Sequence, residues 1–236
     1  AADRIQNILV GSAKLDGVVI APGETFDFNE SLGAIDRGAG FVDGLIITNN
    51  RTIVGVGGGI CQVSTTMFRA AFLAGLPVTE RWQHFYRVGY YELGENAPPG
   101  FDASIYQPDL NLKFVNDTDY FLMIRTEFDP DVQRLRVLLK GHGPARQVVV
   151  SSWHDEPIPP PPARIVANAD LKPGEKKQTD YAIWGMNAGI IRKVWVHAQL
   201  IIEDEFTSLF QPWAARWEIG PDALGNLDTS DIQGAD

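Results

Sequence analysis

The stretch GVGGGICQVSTTMFRAAFLAGLP, residues 55–77, contains Cys61, the chain's only cysteine. Gly57, Gly58 and Gly59 run directly into Ile60 and Cys61, and a helical pattern starts there. Val63, Met67 and Ala71 share one face, and Ser64, Phe68 and Phe72 share a neighbouring one. Gly75 and Pro77 end the pattern, so the spacing predicts a helix over residues 61–73. A thiol at a helix start has three readings. It is a small buried hydrophobe, a metal ligand or a nucleophile.

The metal reading is the weakest. His84, His142, His154 and His197 show no i,i+3 or i,i+4 pairing, and one cysteine cannot build a thiolate-rich zinc site. The nucleophile reading has physical support from position. The helix dipole and first-turn N–H groups favour a thiolate, and the glycines open the backbone to a substrate and its oxyanion. The same glycines also serve a plain strand-to-helix turn.

A thiolate nucleophile needs a base. His84, in RWQHFYRV, falls on the strand expected after the helix, and Asp102, in PGFDASI, opens the next. The order cysteine on a helix, histidine on a strand, aspartate on the next is the order of papain-like and transglutaminase-like thiol enzymes. The alternatives are a surface histidine among aromatics and a turn aspartate. Gly58, Gly59, Gln62, Ser64 and Thr65 at the helix start, with Arg81 and Tyr86 along the following strand, are the candidate substrate contacts. Capping and half-buried sheet positions are their ordinary roles.

Working outward, residues 3–16 read as an amphipathic helix, with Asp3 as cap, apolar Ile5, Ile8, Leu9 and Ala13, and a stop at Gly17. GVVIAPGETFDFN gives strand, turn and strand, and GLIITNNRTIVGVG a hairpin about Asn49 and Asn50. LNLKFVNDTDYFLMIRTEF reads as a hairpin about Asn116 and Asp117. HDEPIPPPPAR carries five prolines and reads as a semi-rigid linker. The runs beyond it are β-rich, without a helix. The expected fold class is α+β: two main helices on a mostly antiparallel sheet over residues 1–150, a linker over 151–163, a small all-β module over 164–223 and a polar tail over 224–236.

The chain has 236 residues and a formal net charge of -10. That balance disfavours nucleic acid and anionic membrane surfaces as partners. No Walker pattern or EF-hand loop occurs, and no cofactor is implied. The opening residues show no signal-length apolar run, so the expectation is a fragment lacking its targeting or anchor segment.

On VVIAPGETFDFN, on GGGICQVSTTMFRAAFLAGLPVTERWQHFYRVGYY, on PGFDASI and on DLNLKFVNDTDYFLMI, the chain resembles the VanW-like family over about residues 3–125. DLKPGEKKQTDYAIWG and FQPWAARWEIGPD look like the G5-related β segments that follow such regions. The resemblance implies a bacterial, extracytoplasmic protein of the cell envelope, from a family named for glycopeptide (vancomycin) resistance clusters. Its implied partner is peptidoglycan or another wall polymer. It implies no settled activity. The Cys61–His84–Asp102 trio rests on the residues themselves, and a non-catalytic wall-binding module and a plain structural spacer stand as its rivals.

Overall fold

A computed structural model of the chain describes residues 2–48, 51–93 and 97–221. Its first element is the helix α1 (Ala2–Leu15), followed by short strands β1 (Val19–Ile20) and β2 (Thr25–Asp27). The buried face of α1 is Asn7, Ile8, Gly11, Ser12 and Leu15, rotated from the expected one; Leu9 is exposed. Polar Asn7 is buried because its side chain is fully used. Its Nδ2 donates to the carbonyls of Val42 and Gly58, both at 3.0 Å, and its Oδ1 accepts from Val42 N at 2.8 Å.

A five-residue helix, α2 (Phe28–Leu32), follows β2 directly and was not foreshadowed by the strand-like FDFN pattern. Asp27 caps it through Glu30 N at 2.9 Å. Strands β3 (Asp43–Thr48) and β4 (Arg51–Val56) pair antiparallel from Asp43↔Val56 to Thr48↔Arg51. Asn49 and Asn50 lie outside the described residues. Then comes α3 (Ile60–Leu73), within one residue of its expected start. Val63, Met67, Phe68, Ala71 and Phe72 are wholly buried and form the centre of the main core. Burying the Val, Met and Phe side chains among them contributes roughly 1.5–3 kcal/mol each.

After α3 the chain runs through β5 (Val78–Glu80), a 3₁₀ turn (Gly89–Glu92), β6 (Lys113–Val115), β7 (Leu122–Asp129) and β8 (Arg134–Lys140). The expected hairpin about Asn116 and Asp117 does not form. β6 joins β2 and β5 in one sheet, and β7 joins β1 and β8 in another. Asn116 is the reason. Wholly buried, it donates from Nδ2 to Ile20 O, Ala21 O and Tyr120 O at 2.9, 3.1 and 2.8 Å, tying three carbonyls where the two sheets diverge.

The remaining strands are β9 (Arg146–His154), β10 (Arg164–Ala167), β11 (Lys176–Asp180), β12 (Met186–Val196), β13 (Gln199–Phe210) and β14 (Arg216–Ile219). β9 includes residues 151–154, expected in the linker, and its partner is β12, so the sheet β9–β12–β13 spans the proline-rich stretch. Between residues 155 and 163 the chain has one isolated bridge, Ile158↔Gly185. β10 and β14 pair in parallel, and the other strand pairs among the described residues are antiparallel. The fold is α+β with a β-rich C-terminal part, its antiparallel pairing spread over several small sheets. The expected tail from 224 onward lies outside the described residues.

The β9–β12–β13 sheet shares the core of the helical part. Ile190 of β12 belongs to the same buried cluster as α3, and Phe206 of β13 stacks edge-on against Phe68 and Phe72 at 5.6 Å each. No helix among the described residues is long and apolar enough to cross a membrane.

Candidate functional site

The N-terminus of α3 is set by two glycines. Gly59 is its N-cap at φ 113°, where a side chain is strained. Gly58 lies against the backbone of β3: a Cβ there would meet Gly44 C at 2.5 Å and Leu45 N at 2.6 Å. Packing and the helix start, not substrate access, demand glycine at these two positions. Together they fix where Cys61 emerges.

Cys61 is half-buried. Its Sγ lies 3.6 Å from Ile105 O and 3.9 Å from Ser104 Oγ, and its titration is coupled to that of the neighbouring His84 imidazole. His84 and Asp102, expected on strands, lie in irregular chain just after β5 and in the segment 101–103. A single bridge, Trp82↔Ser104, brings the two segments together. Both residues are buried. Asp102 Oδ2 accepts from the His84 backbone N–H at 3.0 Å and hydrogen-bonds Nδ1 of the ring. With Nδ1 turned to Asp102, Nε2 is left for the thiol. The structure therefore brings Asp102, His84 and Cys61 into one line, hydrogen-bonded from Asp102 to His84 and electrostatically coupled from His84 to Cys61.

Electrostatics in this line are strongly coupled. Burial pushes the thiol up, but hydrogen bonding and charge from His84, with hydrogen bonds at Ile105 and Ser104, hold it below its ordinary value. Burial pushes the imidazole down, yet its bonds to Asp102 and Cys61 and their charges push it up to about 9. Asp102 is disfavoured as a charge by burial and held below the usual carboxylate range by His84 and Arg81. All three directions favour thiolate, imidazolium and carboxylate.

The other expected contacts separate into distinct roles. Ser64 and Thr65 are buried, and their hydroxyls donate to Ala103 O at 2.6 and 3.1 Å; Thr65 Oγ1 also accepts from Ala103 N. They tether the residue beside Asp102 rather than face a substrate, the correction being one of burial. Arg81 is likewise buried and grips Asp102. Gln62 Oε1 accepts from Arg4 at 2.7 Å, while its backbone N–H donates to Gly59 O. Tyr86 packs its ring 4.7 Å from Trp213. The buried ring of Tyr91 lies 5.1 Å from that of His84, and the residues that sequence reasoning missed are Ser104 and Ile105 beside the thiol. The last two adjoin Asp102 in DASI, which was a usable signal.

Among the described residues no group of three or more His, Cys, Asp or Glu side chains is placed to hold a metal ion.

The chain is 36% identical over 124 residues to the uncharacterized protein YoaR of Bacillus subtilis, a match that covers 52% of this chain and 39% of YoaR. It is 30% identical over 129 residues to the vancomycin B-type resistance protein VanW of Enterococcus faecalis, covering 55% of this chain and 46% of that protein. The chain thus spans less than half the length of these curated relatives. Two solved structures, the G5 domain of an IgA1 protease and HP0197-G5, align over 34% and 32% of the chain, and over 94% and 97% of their own lengths. Their identities are 20% and 13%, and their TM-scores of 0.22 and 0.17 are too low to carry an argument. The VanW like protein family matches residues 3–138, which include α3 and all three residues of the Asp102–His84–Cys61 line. On that match the chain belongs to the VanW-like family.

Proposed function

We propose that this chain is a cell-envelope protein acting as a thiol-dependent hydrolase or acyltransferase on amide or ester bonds of peptidoglycan. The observation that carries the reading is the Asp102–His84 hydrogen bond, with His84 coupled to a half-exposed Cys61 at a helix start. The envelope setting rests on family membership and on the vancomycin-resistance name of the Enterococcus relative, since vancomycin is a wall-directed antibiotic.

The Cys61 thiolate attacks the carbonyl carbon, forming the S–C bond and a tetrahedral oxyanion. With the Gln62 N–H committed to Gly59, the Cys61 amide is the helix-start donor for that oxyanion. Collapse breaks the C–N or C–O bond as the His84 imidazolium gives its proton to the leaving group. Water or an amine then attacks the thioester, passes its proton to His84 and expels the thiolate. Asp102 keeps Nε2 aimed at sulfur throughout.

Intact-mass measurement after incubation with purified peptidoglycan fragments tests this. An acyl adduct on wild type, absent from Cys61→Ala and His84→Ala, is the expected result. Full wall-processing function in Cys61→Ala overturns the nucleophile.

A second reading has its own observation. An open groove is lined by Arg87, Glu156, Pro157 and the half-exposed Trp184. An aromatic face in such a groove suits stacking on sugar rings of a wall glycan, and residues 164–223 would then be a G5-like binding module. Cosedimentation with wall sacculi separates the readings. Under the second, Trp184→Ala abolishes sedimentation and Cys61→Ala is silent in every assay.

A further inference from the structure

The Arg81 guanidinium, 3% exposed, has every N–H committed. Nε donates to Asp102 O at 2.6 Å. Nη2 donates to Gly100 O at 2.7 Å and to Asp102 Oδ1 at 3.0 Å. Nη1 donates to Thr207 O at 3.1 Å and to Ser208 Oγ at 3.0 Å. Four of these bonds fall on three different backbone carbonyls and a carboxylate, and the fifth on a wholly buried hydroxyl. Thr207 and Ser208 belong to β13, more than a hundred residues beyond Asp102. A guanidinium with five donors in a planar fork fixes its acceptors relative to each other, which a lysine ammonium does not.

We propose that the β9–β12–β13 sheet is a working part of the Cys61 site: β13 anchors Arg81, and Arg81 fixes Asp102, and through it His84, in the orientation the thiol needs. Arg81 and Ser208 are positioning residues, since neither touches sulfur. The proposal rests on the nucleophile reading given above and extends it to a second part of the chain. Its logic is geometric. Oδ1 of Asp102 is held by Arg81 while Oδ2 takes both His84 contacts, so the carboxylate cannot rotate without breaking one set. Other charged or titratable groups acting on this line are Arg69, which bears electrostatically on Asp102, and Tyr91, against His84. Arg69 is spent on Phe101 O and Tyr91 O and does not replace Arg81.

The test needs no substrate. Cys61 is the only thiol, so its rate of alkylation by iodoacetamide, followed against pH on the full chain, reports the thiolate directly. Two views of Arg81 part at the variants that keep its charge. As a bystander cation it acts by charge alone, and Arg81→Lys and Ser208→Ala leave the thiol midpoint where it is. As a positioning residue its loss lets Asp102 turn, and the midpoint rises. We expect a rise of about one pH unit in Arg81→Met and in Arg81→Lys, and so about tenfold slower alkylation at neutral pH. Ser208→Ala removes one acceptor and no charge. It keeps the fold by circular dichroism and raises the midpoint by a few tenths of a unit. An unchanged or lowered midpoint in folded Ser208→Ala, with wild type depressed, overturns the proposal and leaves the nucleophile standing. If the Arg81 variants do not fold, Ser208→Ala decides alone. A wild-type midpoint no lower than an ordinary thiol overturns both readings together.

Discussion

Two buried arginines join the C-terminal strands to the helical part, and they do so for different ends. Arg192 of β12 is wholly buried. Its Nη1 donates to Phe72 O at 2.9 Å and Leu76 O at 3.0 Å, the carbonyls at and just beyond the end of α3, and its other nitrogens grip Asp204 of β13 at 2.9 and 2.5 Å. Its guanidinium lies 4.7 Å from the Phe72 ring centroid; that of Arg81 lies 5.5 Å from Phe68. Both thus face the same aromatic cluster, one at Phe72 near the C-terminal end of α3 and one about a turn earlier at Phe68. Arg192 completes a helix terminus, a job of docking and stability. Arg81 ends on the carboxylate of the candidate site. The same residue type, buried in the same way, acts as a strut at the end of the helix and as a positioning device about a turn before it.

The strongest way to break that contrast is Arg192→Ala. It leaves two helix-end carbonyls without their donor and Asp204 without its cation, a loss of about 3–5 kcal/mol by the rule for breaking a buried pair. Urea unfolding measures it. In the fraction still folded at low urea, the Cys61 alkylation midpoint should stay at its wild-type value. A midpoint that moves as far as in Arg81→Met would erase the distinction between the two arginines.

Next in size is Gly58→Ala. Its Cβ would fall within 2.7 Å of three backbone atoms of Gly44 and Leu45, and none of these is the end of a flexible side chain. Either β3 shifts or the start of α3 does. A destabilisation of about 3 kcal/mol is expected, toward the upper end for overpacking. Because α3 carries Cys61, alkylation of the folded variant should also slow. Destabilisation with an unmoved thiol would assign the strain to β3 alone.

These contrasts also mark what the sequence can say. The periodicity of residues 61–73 yields α3 to within one residue, and the chain order of cysteine, histidine and aspartate anticipates three side chains that do meet. Local pattern fails where a single buried polar group redirects the chain. Asn116 looks like a hairpin turn residue, yet its buried carboxamide sends β6 and β7 into different sheets. His84 and Asp102 sit among strand-forming residues but lie in irregular chain held by Arg81, Thr65 and Ser64. Ser208 is illegible for a plainer reason. Its partner is 127 residues away, in an alternating strand pattern that gives no hint of it.

The smallest effect separates the thiol from its base through proton counting. Between about pH 6.5 and about pH 8.5 the unfolded chain carries a neutral His84 and a protonated Cys61, one proton in all. An imidazolium–thiolate pair in the folded site also carries one, and a raised His84 and a lowered Cys61 both point toward that form. With equal numbers bound, this pair contributes no slope to stability against pH in that window. Cys61→Ala removes the compensation. Folded His84 keeps a proton through Asp102, and the unfolded chain has lost it. A raised base contributes stability that is complete below its unfolded value and is lost as pH climbs through its folded one. The variant should therefore lose stability as pH rises from about 6.5, by up to about 1.4 kcal/mol per unit until His84 itself titrates. Urea midpoints at intervals across this window measure the difference from wild type. A variant as flat as wild type would mean that His84 is neutral without its thiol, and that Asp102 alone does not hold the imidazolium.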